Sequence, residues 1–105
     1  MERQDFMEEV KPDFLASLYF YPTEKGGRKY PLRYKNFGTV GMFEKENFSV
    51  YILQPSEWFA KPGDKVSLPM KFLFPFAKET IRVGDKFHLW EGKFYAEGIV
   101  EEIYE

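Results

Sequence analysis

The chain has 105 residues, 44 % of them hydrophobic and 30 % charged, the make-up of one ordinary globular domain with a single core. A formal charge of −2 is not the basic excess of a dedicated nucleic-acid binder. The absence of cysteine excludes disulfides, thiolate metal sites and thiol catalysis together. No apolar run approaches about 18 residues, which excludes a membrane-spanning helix, and the opening MERQDFMEEV lacks the apolar region of a secretory signal. A cytoplasmic protein is expected.

Residues 1–12 read as an N-terminal arm. Its one helical signal is Arg3–Val10, with Phe6, Met7 and Val10 on one side, stopped before Pro12. Residues 13–105 read as a single β domain. Phe14, Ala16, Leu18 and Phe20 alternate with Leu15, Ser17, Tyr19 and Tyr21, the period of a half-buried strand. The next stretch, Lys25–Lys35, reads KGGRKYPLRYK, with five bases, two tyrosines and no acid. Both termini are acidic, so the fold can present a basic face under a negative total. Gly26-Gly27 permits positive φ in a turn.

A second strand is expected at Phe48-Val50-Ile52. Asn47-Phe48-Ser49 matches a glycosylation sequon, which is read as incidental. Pro62-Gly63-Asp64 fits a type II turn, and Val83-Gly84-Asp85 repeats its chemistry 21 residues later. Between them, Val66, Leu68, Met70, Phe72, Phe74 and Phe76 alternate with Lys65, Ser67, Pro69, Lys71, Leu73 and Pro75, which predicts a strand over residues 65–76. Its two outward prolines each remove a ladder donor, the mark of an edge, a bulge or a solvent-facing position. Lys86–Trp90 and Phe94–Ile103 form a closing hairpin over Glu91-Gly92-Lys93, with a bulge expected at Gly98 to switch faces. Many short strands with glycine and proline turns imply an all-β sandwich or barrel.

Motifs for catalysis are lacking. There is no phosphate-binding glycine loop, no G-x-G-x-x-G and no H-E-x-x-H. His88 is the single histidine and alternates with Phe87 and Leu89, so it reads as a strand residue. Adjacent strand carboxylates such as Glu101 and Glu102 point to opposite faces. No enzyme activity, cofactor or metal is expected.

Three blocks carry a family resemblance. Phe14–Pro31, FLASLYFYPTEKGGRKYP, resembles the first strand and following loop of the C-terminal (third) domain of elongation factor Tu. Phe14, Ala16, Tyr19, Gly26, Gly27, Arg28 and Pro31 match at the family's spacing. KPGDKVSLPMKFLFPFA matches the family's next block at Pro62, Gly63, Asp64, Pro75 and Ala77. The end of the chain matches at Gly84, Phe87, Glu91, Gly92, Gly98 and Val100. The resemblance runs from about Asp13 to the end and implies a free-standing six-stranded antiparallel Greek-key barrel.

The resemblance also implies a candidate RNA-facing patch of Arg28, Lys29, Glu91 and Gly92, to which the basic stretch adds Arg33. Bases would neutralise phosphates, and Glu91 would accept from a 2′-hydroxyl across the minor groove. The family's nucleotide-binding domain and second barrel are missing, so no GTP chemistry is implied. The glutamine and threonines that help hold tRNA in the family find no match in NFGTVGMFEKEN, and the family's arginine before the Glu-Gly turn is Trp90. The leading expectation is a non-enzymatic protein-interaction module, a mimic or competitor of the translation factor's third domain, anchored by Trp58, Phe59, Trp90 and Tyr95. The alternative is an accessory module that binds tRNA-like RNA. The oligomeric state is left open.

Overall fold

The computed structural model describes residues 11–55 and 57–105; the helical segment expected at Arg3–Val10 lies outside them. Strands β1 (Phe14–Phe20), β2 (Asn36–Phe43), β3 (Asn47–Leu53), β4 (Lys65–Phe72), β5 (Lys86–Trp90) and β6 (Phe94–Ile103) close into one antiparallel barrel in the order β1-β4-β3-β2-β5-β6. β2, β3 and β4 follow one another as neighbours. β1 reaches β2 through the long 21–35 connection and lies beside β4, the Greek-key arrangement. Closure leaves no strand edge exposed. Among the described residues no helix is long and apolar enough to cross a membrane.

β1 forms as its alternation requires: Phe14, Ala16, Leu18 and Phe20 are all buried. Phe48, Val50 and Ile52 line the interior from β3. The strand expected over residues 65–76 stops at Phe72. Pro75 opens a short 3-10 helix, Pro75–Thr80, and Phe74 and Phe76 are exposed. Proline cannot donate to a ladder but is preorganised for a helical first turn, so strand parity runs on in sequence where the strand itself has ended. β3 pairs β4 only over Met70–Phe72, so Pro69 removes no bond on that side.

β2 escapes the strand patterns because Gly38 and Gly41 interrupt its alternation. A Cβ on Gly38 would sit 3.2 Å from the Tyr51 ring, and one on Gly41 would sit 3.1 Å from the Phe43 ring. Gly38 pairs with Tyr51 across the ladder, so the neighbouring strand's ring covers what the glycine lacks.

The bulge expected at Gly98 lies elsewhere in β6. Leu89 pairs with Ala96 and Trp90 with Phe94, leaving Tyr95 as the extra residue. Leu15 pairs with Glu102 and Ala16 with Val100, leaving Glu101. Gly98 itself sits in regular pairing with Leu18 and Phe87. A Cβ there would lie 2.4 Å from Phe87 Cζ and 2.8 Å from Leu18 Cδ2.

The core is layered along the barrel. Near the β2–β3 turn, Phe72 packs on Phe14 at 5.0 Å, Phe48 at 5.4 Å and Phe43 at 6.1 Å between ring centroids, and Phe43 stacks on Phe87 at 4.7 Å. Such pairs add about 0.5–1.5 kcal/mol each beyond the area they bury. Asp13 closes this end: its carboxylate accepts from the Phe72 amide and its own amide donates to Met70. Near the other end Phe20 stacks on Tyr95.

The two repeated turns are structural twins. Asp64 N–H donates to Lys61 O and Asp85 N–H to Arg82 O. Gly63 and Gly84 hold φ of 93° and 96°, as the third position of a type II turn requires. Each aspartate carboxylate accepts from the turn's first amide. The first turn clasps Phe20 at the end of β1, and the second clasps Val100 in β6.

Candidate functional site

Antiparallel closure gathers three connections at one end of the barrel: 21–35, 54–64 and 91–93. Together they hold seven bases and four acids. The described connections at the opposite end, 11–13, 44–46, 73–85 and 104–105, hold four bases and six acids. The fold therefore separates charge that the sequence total hides.

The 21–35 connection leaves β1 through a short 3-10 helix, Thr23–Lys25, capped by Gly26 at φ 95°. Gly27 then approaches the chain's own backbone: a Cβ would lie 1.9 Å from Tyr21 O, so no other residue fits. This fold-back presents Arg28. Its guanidinium pairs with Glu91 in the β5–β6 turn, lies 5.0 Å from the Phe37 ring centroid and 5.8 Å from that of Tyr95, and donates to Tyr30 O. Lys93 Nζ donates to Gly27 O at 3.0 Å. Arg28 and Glu91, which the resemblance would turn toward RNA, thus meet, but each faces the other. Their pair fastens the basic loop to the hairpin, and neither charge is offered outright to a ligand.

Gln54, which no sequence pattern singles out, ties the 54–64 connection to the 21–35 connection. It is buried, donates through Nε2 to Tyr34 O at 2.7 Å and Leu32 O at 3.4 Å, and accepts at Oε1 from Ala60 N–H at 2.7 Å. Leu32 N–H also donates to Ala60 O. The loop end is therefore a fixed surface, consistent with buried polar groups finding partners.

On this surface Tyr30 and Tyr34 are 58 % and 69 % exposed, interleaved with Lys29, Arg33 and Lys35. Arg33 lies 5.5 Å from the Tyr30 ring centroid. Lys25 and Lys29 form no salt bridge with any described residue. Gly92, at φ 76°, turns the hairpin, and nothing lies within 4 Å of where its Cβ would be. Trp58 and Phe59 are exposed on the 54–64 connection. Trp90 is exposed at the end of β5, on the barrel's outer wall. Tyr95 is not a surface anchor: it is 1 % exposed because the bulge turns it inward, where its hydroxyl donates to Thr39 Oγ1 at 2.8 Å. Burial pushes its phenol pKa up.

Tyr21 borders the same end and donates to Glu97 Oε1 at 2.9 Å. Burial, then the hydrogen bond to the Glu97 carboxylate, push its phenol up to about 12. A raised folded pKa favours the neutral phenol, so this contribution to stability is intact below the unfolded value near 10 and is lost as pH rises toward about 12. The difference in 295 nm absorbance between the wild type and Tyr21→Phe is expected to titrate near that higher value. A midpoint near 10 would remove the Glu97 bond from the account.

Among the described residues no group of three or more His, Asp or Glu side chains could hold a metal ion. The chain matches no established protein-family model and no curated protein at significance.

Proposed function

We propose that the protein is a non-enzymatic RNA-binding module, a barrel of the kind found as the third domain of elongation factor Tu, acting through its basic loop end. The observation that carries this reading is the interleaving of the exposed Tyr30 and Tyr34 with Lys29 and Arg33 on loops fixed by Gln54 and Arg28. Aromatic faces stack on unpaired bases while neighbouring cations neutralise phosphates. Arg28 and Glu91, which the resemblance assigns to the RNA face, are 63 positions apart and in contact. In this reading they position the loop, and Lys25, Lys29 and Arg33 meet the phosphates.

Fluorescence anisotropy with a labelled single-stranded RNA tests it. With about three phosphate contacts, log K is expected to fall against log salt with a slope of about −2. Tyr34→Ala weakens binding by about 1–3 kcal/mol, and Lys29→Ala lowers the slope by about 0.7. Absence of saturable binding at 50 mM salt and 100 µM protein overturns the reading.

A protein partner, for which the barrel would mimic or compete with the translation factor's third domain, is the second reading. It is favoured by the exposed Trp58 and Phe59 on the neighbouring loop. Capture from lysate separates the two: a stoichiometric protein that stays after nuclease treatment supports the second reading.

A further inference from the structure

We propose that the 54–64 connection carries a second base-stacking subsite, at which Trp58 takes an unpaired base of the strand held by Tyr30 and Tyr34, so that the RNA bound is single-stranded and not a duplex. This rests on the RNA-binding reading and extends it to a loop that reading does not use.

Backbone bonds join the two connections beside these rings. Leu32 N–H donates to Ala60 O at 2.8 Å. Tyr30 and Tyr34 lie two residues either side of Leu32, and Trp58 lies two residues before Ala60. At most about 7 Å of chain therefore separates each ring's Cα from that junction. Gln54 holds the junction from beside it. Its own N–H donates to Lys35 O at 2.8 Å, and its side chain links Tyr34 O to Ala60 N–H. Tyr30, Lys61 and Pro62 line one shallow cleft of about 170 Å³. That is below the roughly 300 Å³ at which ligand pockets begin, so bases are met on the open surface and not in a pocket.

The rings are exposed and yet held. Tyr34 lies 20° from parallel with the buried Phe37, with 6.5 Å between ring centroids. The Arg33 guanidinium lies 5.5 Å from the centroid of Tyr30. Trp58 is 36 % exposed, so most of its surface packs while part stays open. A ring already fixed by its neighbours loses little freedom when a base stacks on it.

What such rings select is the state of the strand. In an A-form duplex each base face is covered by the next base, and proteins meet the helix through phosphates, 2′-hydroxyls and groove shape. Only a single strand can offer its faces to three rings around one junction. Charge turns the strand toward Trp58 as well. Glu91 keeps 46 % of its side chain exposed at the β5–β6 turn, where it repels a phosphate. Lys61, although bonded to Asp64 at 3.3 Å, keeps 62 % of its side chain exposed on the 54–64 connection, where it attracts one.

Tryptophan emission tests the subsite directly. Trp58 and Trp90 are the chain's two tryptophans, so Trp90→Phe leaves Trp58 as the reporter. An oligouridine of about eight nucleotides is expected to quench it saturably, and a blunt RNA duplex of about twelve base pairs is expected to leave it bright. By anisotropy at equal salt, the single strand binds at least about tenfold more tightly than the duplex. Trp58→Ala, checked for an unchanged melting temperature, weakens the single strand about tenfold or more and leaves the duplex unaffected. Trp58 unquenched at saturation, a folded Trp58→Ala that binds the single strand like the wild type, or single strand and duplex bound alike overturns the subsite while RNA binding itself stands. If neither RNA binds, the reading beneath it falls and the subsite with it.

Discussion

Gly98→Ala is expected to lower the melting temperature by roughly 5–20 °C, the effect of about 1–3 kcal/mol of overpacking in a domain this size. The added methyl would lie 2.4 Å from Phe87 Cζ, 2.8 Å from Phe87 Cε2 and 2.8 Å from Leu18 Cδ2. Those atoms are side-chain ends, but they have nowhere to go. Phe87 is 1 % exposed and held by Phe43 at 4.7 Å and Phe14 at 6.1 Å, and Leu18 is 1 % exposed. Cores at native density transmit such a conflict to every neighbour. The decisive measurement is a double-mutant cycle. Phe87→Leu removes the conflicting ring atoms at a cost of its own. Gly98→Ala with Phe87→Leu is then less destabilised than the two singles summed, by about 0.5–3 kcal/mol. Additive losses would mean that Gly98 is retained for some reason other than the space taken by Phe87.

Gly98 also shows where sequence reading stops. A glycine inside a strand signals either a bulge or a close approach, and the sequence favoured the bulge. What decides is the position of the Phe87 ring and of Leu18, which is 80 positions earlier; no local pattern carries that. β1, by contrast, is legible because burial and alternation coincide along all seven of its residues. The residues 73–76 misled for the opposite reason: Phe74 and Phe76 keep strand parity, while Pro75 has already turned the chain into a 3-10 helix. At the candidate site the basic stretch was legible as charge, but the exposure of its Tyr30 and Tyr34 was not, since aromatics in a loop can as well be buried. The Arg28–Glu91 pairing was not, since two residues assigned to one face read equally well as neighbours pointing outward or as partners. Tyr95 was misplaced on the surface because a one-residue bulge inverts the expected face. Gln54 left no trace at all: a glutamine before a proline looks like a solvated turn until its burial is known.

That glutamine carries the second large effect, and it bears directly on the proposed function. Gln54→Leu keeps the side chain's bulk and removes all three of its hydrogen bonds. Ala60 N–H loses its 2.7 Å acceptor and Tyr34 O its 2.7 Å donor, in a position where Gln54 itself is only 5 % exposed. A buried backbone group left unsatisfied costs about 1–3 kcal/mol, so a total near 3 kcal/mol and a loss of roughly 10–20 °C in melting temperature are expected. The loss is local in origin. Amide exchange accelerates first at Leu32 and Ala60, whose own bond joins the two loops, while amides in β1 and β6 change later. Gln54→Glu separates hydrogen bonding from packing. Its carboxylate still accepts from Ala60 N–H but confronts the Leu32 and Tyr34 carbonyl oxygens, so it is expected to be least stable at neutral pH and to recover as acid restores a donor. In both variants Tyr30 and Tyr34 lose their fixed spacing, and RNA affinity falls further than the loss of any single phosphate contact would give. Gln54→Leu with full RNA affinity would mean that binding does not use a preorganised loop surface, and would move the site away from this end of the barrel.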